Sequence, residues 1–259
     1  MRALDATHYL MDVALRRDKS PPMDAFPFCL PAVRGLRDEA LVFHPKVTFI
    51  VGENGSGKST LLEAIAVAWG FNPEGGTRNF NFNTEASHSP LYEYLRLGRS
   101  ARRARDGFFL RAESFYNVAS QINALDREPT IGAKIIDAYG RISLHAQSHG
   151  ESFMALMRHR FGGHGLYVLD EPEAALSPTR QLALLARLHQ LVQRNSQFII
   201  ATHSPILMAY PDADILQITE DGLQPVPYRD TEHYIVTRAF LEDPQRQLDR
   251  LLGDAELDD

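Results

Sequence analysis

At 259 residues, with 44% hydrophobic and 23% charged side chains, the chain has the size and balance of one large α/β domain, or of a core carrying a small appended subdomain. A formal net charge of −6 and a pI near 5.9 exclude a whole-surface nucleic-acid footprint while leaving room for a local basic patch. No stretch approaches the roughly 18 apolar residues of a membrane span, and the single cysteine, Cys29, cannot close an internal disulfide, so a reducing cytoplasm and a buried structural thiol are expected.

Arg16, Arg17, Asp18 and Lys19 interrupt the start of the chain, where a secretory leader would keep an apolar core. The opening segment reads as strands and turns: Pro21, Pro22, Pro27 and Pro31 break any helix, while residues 41–43 and 47–51 are apolar runs rich in β-formers. A Gly-rich turn follows, and the Ala- and Leu-rich residues 59–69 predict a helix. Residues 72–89 read as a loop and residues 90–105 as a helix. Its basic run of Arg96, Arg99, Arg102, Arg103 and Arg105, continued by Arg111 and opposed by Asp106, is either a solvated face or a phosphate-binding patch. A short strand is predicted over 108–112, and a mostly helical stretch over 118–146 with a break at Pro129. Gly162, Gly163 and Gly165 then precede a buried-type strand at 166–169. Ser177 with Pro178 opens a helix whose Leu184, Leu188, Leu191 and Val192 fall on one stripe. Residues 197–201 form another buried strand just before His203, and the acidic residues 254–259 are expected to fray.

The segment Gly52-Glu53-Asn54-Gly55-Ser56-Gly57-Lys58-Ser59-Thr60 fits the pattern G-x-x-x-x-G-K-[ST] and lies between a predicted strand and a predicted helix. Glycines let successive backbone N–H groups curl around a phosphate, and the helix turns its positive end toward the anion. The reading assigns Asn54, Gly55, Ser56, Gly57, Lys58, Ser59 and Thr60 to nucleotide phosphates, with Lys58 on the β- and γ-phosphates and the Ser59 hydroxyl on magnesium. The strand at 166–169 delivers Asp170, a second magnesium contact through water, and Glu171, placed to polarise the attacking water. Ser148 and Gly150 open a predicted helix at 152–160, a second anion-binding end. His203 ends the strand after the acidic pair, within expected reach of a γ-phosphate or the attacking water.

The order of these motifs resembles the ABC-type ATPase superfamily. Residues 52–60 match its Walker A motif and residues 166–171 its Walker B motif. Ala175-Leu176-Ser177 occupies the place of the D-loop, and Thr202-His203-Ser204 that of the switch histidine. The wording Asp170-Glu171-Pro172-Glu173 and Thr202-His203-Ser204-Pro205 is closer to the SMC and recombination-repair branch than to transporter subunits, and the whole is similar to short bacterial AAA-family ATPases. Where the family signature reads Leu-Ser-Gly-Gly-Gln, this chain has Gln147-Ser148-His149-Gly150-Glu151. The Q-loop residue is open between Gln121 and Ser114, and Arg78, Phe80 and Phe82 are candidate adenine contacts.

The resemblance implies an α/β P-loop fold with a mixed central sheet, an N-terminal antiparallel β-subdomain and a helical signature subdomain. Its expected bounds are 113–160 for the helical part, with 1–112 and 161–259 as core. It implies ATP and Mg2+ as cofactors, Glu171, His203 and Lys58 as catalytic residues, and Ser59 and Asp170 as metal contacts. It further implies an ATP-dependent homodimer in which Ser148 and Gly150 reach the other copy's γ-phosphate. Only 89 residues separate Lys58 from Ser148, too few for a long coiled-coil insertion. Three roles follow: a soluble switch on nucleic acid or a partner protein, the nucleotide-binding subunit of a membrane transporter, or a weakly active ATP-binding scaffold.

Overall fold

A computed structural model of the chain describes residues 8–73, 75–76, 89–111 and 148–253, leaving aside the His149 side chain. Nine strands among them form two sheets. β1 (Leu10–Leu15) lies between β2 (Leu41–Val42) and β4 (Leu95–Arg99) in a three-stranded antiparallel sheet. The central sheet has six strands in the order β5-β6-β7-β3-β8-β9. These are β3 (Val47–Val51), β5 (Asp106–Arg111), β6 (Gly165–Asp170), β7 (Gln197–Ala201), β8 (Asp214–Thr219) and β9 (Gly222–Pro225). Pairing is parallel except between β8 and β9.

β3, β6 and β7 are buried at every position, because helices cover both faces of a parallel sheet. Alternate side chains divide between two cores. Phe49, Leu169 and Ile200 face one that includes α3 (His149–His159) and α4 (Pro178–Gln193). Ile50, Val168 and Ile199 face the other, filled by α2 (Lys58–Trp69) and β1. The predicted stripe on α4, Leu184, Leu188, Leu191 and Val192, is the buried face of that helix. α1 (Pro31–Arg34), α5 (Pro205–Met208), α6 (Glu232–Glu242) and α7 (Pro244–Gly253) complete the described helices. Among the described residues no helix is long and apolar enough to cross a membrane.

One side chain joins the two sheets. Gln197, fully buried on β7, accepts hydrogen bonds from the N–H groups of Tyr9 and Leu10, both at 2.9 Å. Its amide donates to the carbonyls of Leu10 at 2.7 Å and His44 at 3.1 Å. All four hydrogen-bonding positions of a buried amide are thereby used.

Residues 90–105 are not a helix. A 3-10 turn (Pro90–Tyr94) leads into β4, where Leu95 and Leu97 flank the exposed Arg96 and pair with Leu15 and Val13. Period-two alternation prevails over the helix propensity of the arginines once β1 offers an unpaired edge. Pro31 does not end a helix but starts one, at the N-terminal position where its missing N–H costs nothing. The helix predicted at 152–160 begins earlier, at His149, and the strand predicted at 108–112 runs from Asp106 to Arg111. Cys29 is half-buried rather than buried. The helix predicted at 118–146, most of the expected helical subdomain, Gln121, Ser114, Arg78, Phe80, Phe82 and the acidic tail lie outside the described residues.

Candidate functional site

Strand register brings the distant motifs to one edge. Arg111, Asp170, Ala201, Ile50 and Leu216 form a single row across five strands. Each chain therefore leaves the sheet at the same level: β3 into the glycine loop, β6 into Glu171, β7 into His203. This is the carboxyl end of a parallel sheet, where open α/β folds hold ligands.

The loop after β3 exposes Glu53, Asn54 and Gly55 at its crown and returns into α2 through Gly57. Gly57 has φ of 100°, a left-handed conformation, and a Cβ there would stand 3.1 Å from that of Leu30 and 3.2 Å from that of Ala32. Ala32 N–H donates to the Ser56 carbonyl at 3.1 Å, so the segment entering α1 braces the loop from outside. Lys58 is buried, and its ammonium donates to the carbonyls of Gly52 at 2.7 Å and Glu53 at 2.8 Å. Burial lowers its pKa, opposed by the charges of Glu171, Asp170 and Glu173. Ser59, on the first turn of α2, donates from its hydroxyl to Asp170 Oδ1 at 3.1 Å, while Thr60 follows half-buried. The Ser56 hydroxyl is buried without a hydrogen-bond partner among the described residues, 3.2 Å from where a Cβ on Gly52 would stand. The loop thus fits a bound phosphate chain, and the Ser59–Asp170 pair fits a hard cation at its side.

Asp170 ends β6 buried, with Arg111 Nε 3.9 Å from its carboxylate. Arg111 is itself held by Glu63 of α2 at 2.6 Å. Glu171 follows with φ of 49° and ψ of 53°, a left-handed backbone that a non-glycine residue adopts only where its surroundings enforce it. Its N–H donates to the Ala201 carbonyl at 3.0 Å, and the turn carries its carboxylate to 3.6 Å from His203 Nε2. Glu173, two residues on, accepts from the His203 N–H at 2.6 Å. Burial raises the Glu173 pKa, an effect that hydrogen bonds from His203 N–H and Thr202 oppose and the charge of Glu171 reinforces. His203 Nδ1 lies 3.0 Å from Nε2 of His233 on α6. Burial and the nearby Lys58 charge lower the His203 pKa, so the ring is neutral at neutral pH.

Ser148 is the N-cap of α3 and forms a complete capping box with Glu151. Its hydroxyl donates to Glu151 Oε2 at 2.7 Å, and Arg180 of α4 approaches both, at 3.4 Å from Ser148 Oγ and 3.5 Å from Glu151 Oε1. The helix end predicted to receive an anion already holds a carboxylate of its own. Gly150 is buried, and a Cβ there would meet the Ala175 carbonyl at 2.8 Å and Arg180 closer still. Ala175 belongs to the 3-10 turn (Pro172–Ala175) that follows Glu171, so α3 packs directly on the acidic pair's turn. Gln181 continues the chain of contacts, donating to the Leu176 carbonyl at 3.1 Å and accepting from the Ser204 hydroxyl at 2.6 Å.

The basic run stays on the surface, and three of its six arginines also find partners in the fold. Arg96 pairs with Asp12 at 2.7 Å; Arg99 caps α2 through the Ala68 carbonyl at 2.9 Å and covers the Trp69 ring at 4.5 Å. Arg102, Arg103 and Arg105 remain exposed. Five site residues carried no signal that local patterns could reveal: Glu63, Arg111, Arg180, Gln181 and His233. Glu173 stood in the quoted Asp-Glu-Pro-Glu wording without a role.

Comparison with known proteins points to the same superfamily that the order of motifs resembles. A family model described as an AAA domain matches residues 30–128, and a second AAA domain model, described by reference to an AbiEii toxin and a type IV TA system, matches residues 135–209. The chain is 28% identical to the thiamine import ATP-binding protein ThiQ of Chelativorans sp., over 71% of this chain and 76% of that one. It is 27% identical to the arabinose import ATP-binding protein AraG 2 of Burkholderia cenocepacia, over 77% of this chain but only 41% of the relative's length. Among solved structures, cbiO1 from Clostridium perfringens, part of the ABC transporter complex cbiONQ, superposes with a TM-score of 0.50 at 17% identity, covering 95% of this chain and 99% of that one. That likeness is one of fold.

Proposed function

We propose that this chain, which belongs to the ABC-type ATPase superfamily, binds ATP with magnesium and hydrolyses it as a cytoplasmic switch whose two copies close on the nucleotide. The observation that carries the reading is the common sheet edge at which Lys58, the Ser59–Asp170 pair and the Glu171–His203 pair stand together. Backbone N–H groups of residues 54–60 cradle the phosphates, and the Ser56 hydroxyl finds there the partner it lacks. Lys58 exchanges the carbonyls of Gly52 and Glu53 for phosphate oxygens, carrying a charge that burial makes more effective. Ser59 and Asp170 are the residues that would hold magnesium, which when bound neutralises charge building up on the phosphates. Glu171 orients the attacking water and accepts its proton, and His203 Nε2–H donates beside it.

The signature half-site is proposed to act in trans, with residues 113–160 as the helical unit that presents it. Ser148 can reach a second copy's phosphate only when its hydroxyl leaves Glu151. ATP-driven closure is thus coupled to the capping box, which favours slow turnover. The test uses Glu171→Gln, which keeps the shape and removes the base. A general base contributes about 10²–10⁴-fold, so phosphate release by the variant should fall at least ~100-fold while Mg-ATP shifts it to a dimer on size exclusion. A variant that stays monomeric at every protein concentration, with and without Mg-ATP, would sink the closure model.

A second reading has its own support. The two curated relatives named above are import ATP-binding proteins, which favours a nucleotide-binding subunit of a membrane transporter. Recovery of the protein in soluble fractions alone, without membrane proteins, counts against it. Action on nucleic acid would rest on exposed Arg102, Arg103 and Arg105, and would show as a salt-sensitive stimulation of hydrolysis by DNA or RNA.

A further inference from the structure

We propose that His233, on α6, selects the tautomer of His203 and is a positioning residue for hydrolysis; this rests on the ATPase reading above. The two rings meet through His203 Nδ1 and His233 Nε2 at 3.0 Å, with centroids 5.1 Å apart. A hydrogen bond between two imidazole nitrogens needs one N–H and one lone pair. If His203 donated from Nδ1, its Nε2 would be a bare lone pair facing the Glu171 carboxylate at 3.6 Å, acceptor against acceptor. If His233 donates instead, His203 carries its proton on Nε2, aimed at Glu171 and at the space where a γ-phosphate and its attacking water would lie. Nε2 is buried and has no hydrogen-bond partner among the described residues, with the Glu171 carboxylate 3.6 Å away. The second arrangement leaves no repulsive pair, and only it makes His203 a donor toward the reaction.

The contact is built into the backbone. Thr231, fully buried, caps α6 by accepting from the Tyr234 N–H at 3.3 Å and donates to the Tyr228 carbonyl at 2.8 Å. Tyr228 donates its hydroxyl to the carbonyl of Pro205, two residues past His203, at 3.0 Å, and packs against Tyr234 with ring centroids 4.8 Å apart and ring planes at 56°. The first turn of α6 is therefore pinned to the loop that carries His203, and His233 meets the ring from a fixed direction. On the other side of that loop, Glu173 holds the His203 N–H at 2.6 Å. Backbone and ring are each held by a partner distant in the sequence.

The experiment compares wild type, His233→Gln and His233→Phe in the full chain, with His233→Ala as a second donor-free variant should the Phe ring disturb the loop. Gln can present an amide N–H near the position of Nε2; Phe and Ala cannot. Nitrogen-15 NMR of histidine-labelled protein at neutral pH, without nucleotide, should show His203 of the wild type and His233→Gln protonated on Nε2, and a tautomer mixture in the donor-free variants. Steady-state hydrolysis should show kcat reduced by about 10-fold or more in His233→Phe, KM for ATP within ~2-fold, and His233→Gln restored to within ~3-fold of wild type. A proton on Nδ1 of His203 in the wild type, unchanged kcat in the donor-free variants, or Gln no better than Phe would each overturn the proposal. Absence of hydrolysis in the wild type would overturn the ATPase reading and the positioning role with it. The tautomer pattern distinguishes that failure from failure of the contact between the two rings.

Discussion

Gly150→Ala separates two reasons for a glycine beside Ser148. In a phosphate-binding turn the substitution would disturb nucleotide contacts and leave the free protein's stability alone. In this structure the added Cβ stands 2.8 Å from the Ala175 carbonyl oxygen, where ordinary contact begins at 3.4 Å, and closer still to Arg180 Nη1. The two clashes are unequal. The Arg180 side chain is 38% exposed and can swing away, losing contacts to Ser148 and Glu151. Such surface contacts are worth about 0–1 kcal/mol. Ala175 cannot move alone, because its carbonyl belongs to the 3-10 turn anchored by Glu171 at one end and by the buried Leu176 at the other. Overpacking against fixed backbone costs about 1–3 kcal/mol, offset by up to ~1 kcal/mol of helix propensity gained on replacing glycine. A net loss of about 1–2 kcal/mol should lower the urea midpoint by roughly 0.5 M, given a slope of about 2–3 kcal/mol/M for a domain of this size. Fluorescence of the single tryptophan, Trp69, buried at 5% exposure, reports the transition. Adding Arg180→Ala should leave the loss in place. An unchanged or raised midpoint, or full restoration by Arg180→Ala, would refute the packing account.

Gln197→Leu should be the more damaging substitution, removing about 4 kcal/mol or more, because it strips partners from the Tyr9 and Leu10 N–H groups and the Leu10 and His44 carbonyls; chemical unfolding reads the loss, and a change under 1 kcal/mol would contradict it. Asp106 gives a pH prediction. Burial pushes its pKa up, but the Tyr167 hydroxyl at 2.6 Å, the Gly162 N–H at 2.9 Å and Arg160 at 2.8 Å outweigh it, and the net shift is downward. Its stabilisation is therefore complete above the ordinary aspartate value near ~3.9 and is lost as pH falls through the lower folded value. Asp106→Asn should flatten that part of the acid limb in urea midpoints measured between pH 5 and pH 2, and an acid limb as steep as wild type would exclude Asp106 as its source.

Local chemistry was legible wherever neighbouring residues act together. The strand before Gly52, the helix after it, the strands that end at Asp170 and just before His203, and the stripe on α4 all follow from patterns a few residues long. The misread stretch, residues 90–105, shows the limit of such patterns. Its arginines suit a helix in isolation, yet β1 supplies an edge that only another strand can satisfy. Three members of the basic run show the same dependence, since Arg96, Arg99 and Arg111 find partners in Asp12, the end of α2 and Glu63, all more than 25 positions away.

The glycine-loop signature with Lys58, and the pairing of Asp170 with Glu171 at the end of a buried strand, were written in consecutive residues, because a backbone cradle and a strand end are local structures. Which groups complete them was decided by folding alone. Parallel pairing of β6, β7 and β3 aligns three chain exits that lie more than 100 positions apart at their extremes. That same edge sets Glu173 against the His203 backbone, Gly150 against Ala175, and His233 against the His203 ring. Such contacts depend on register and on the path of the chain into α6, and no short motif encodes either.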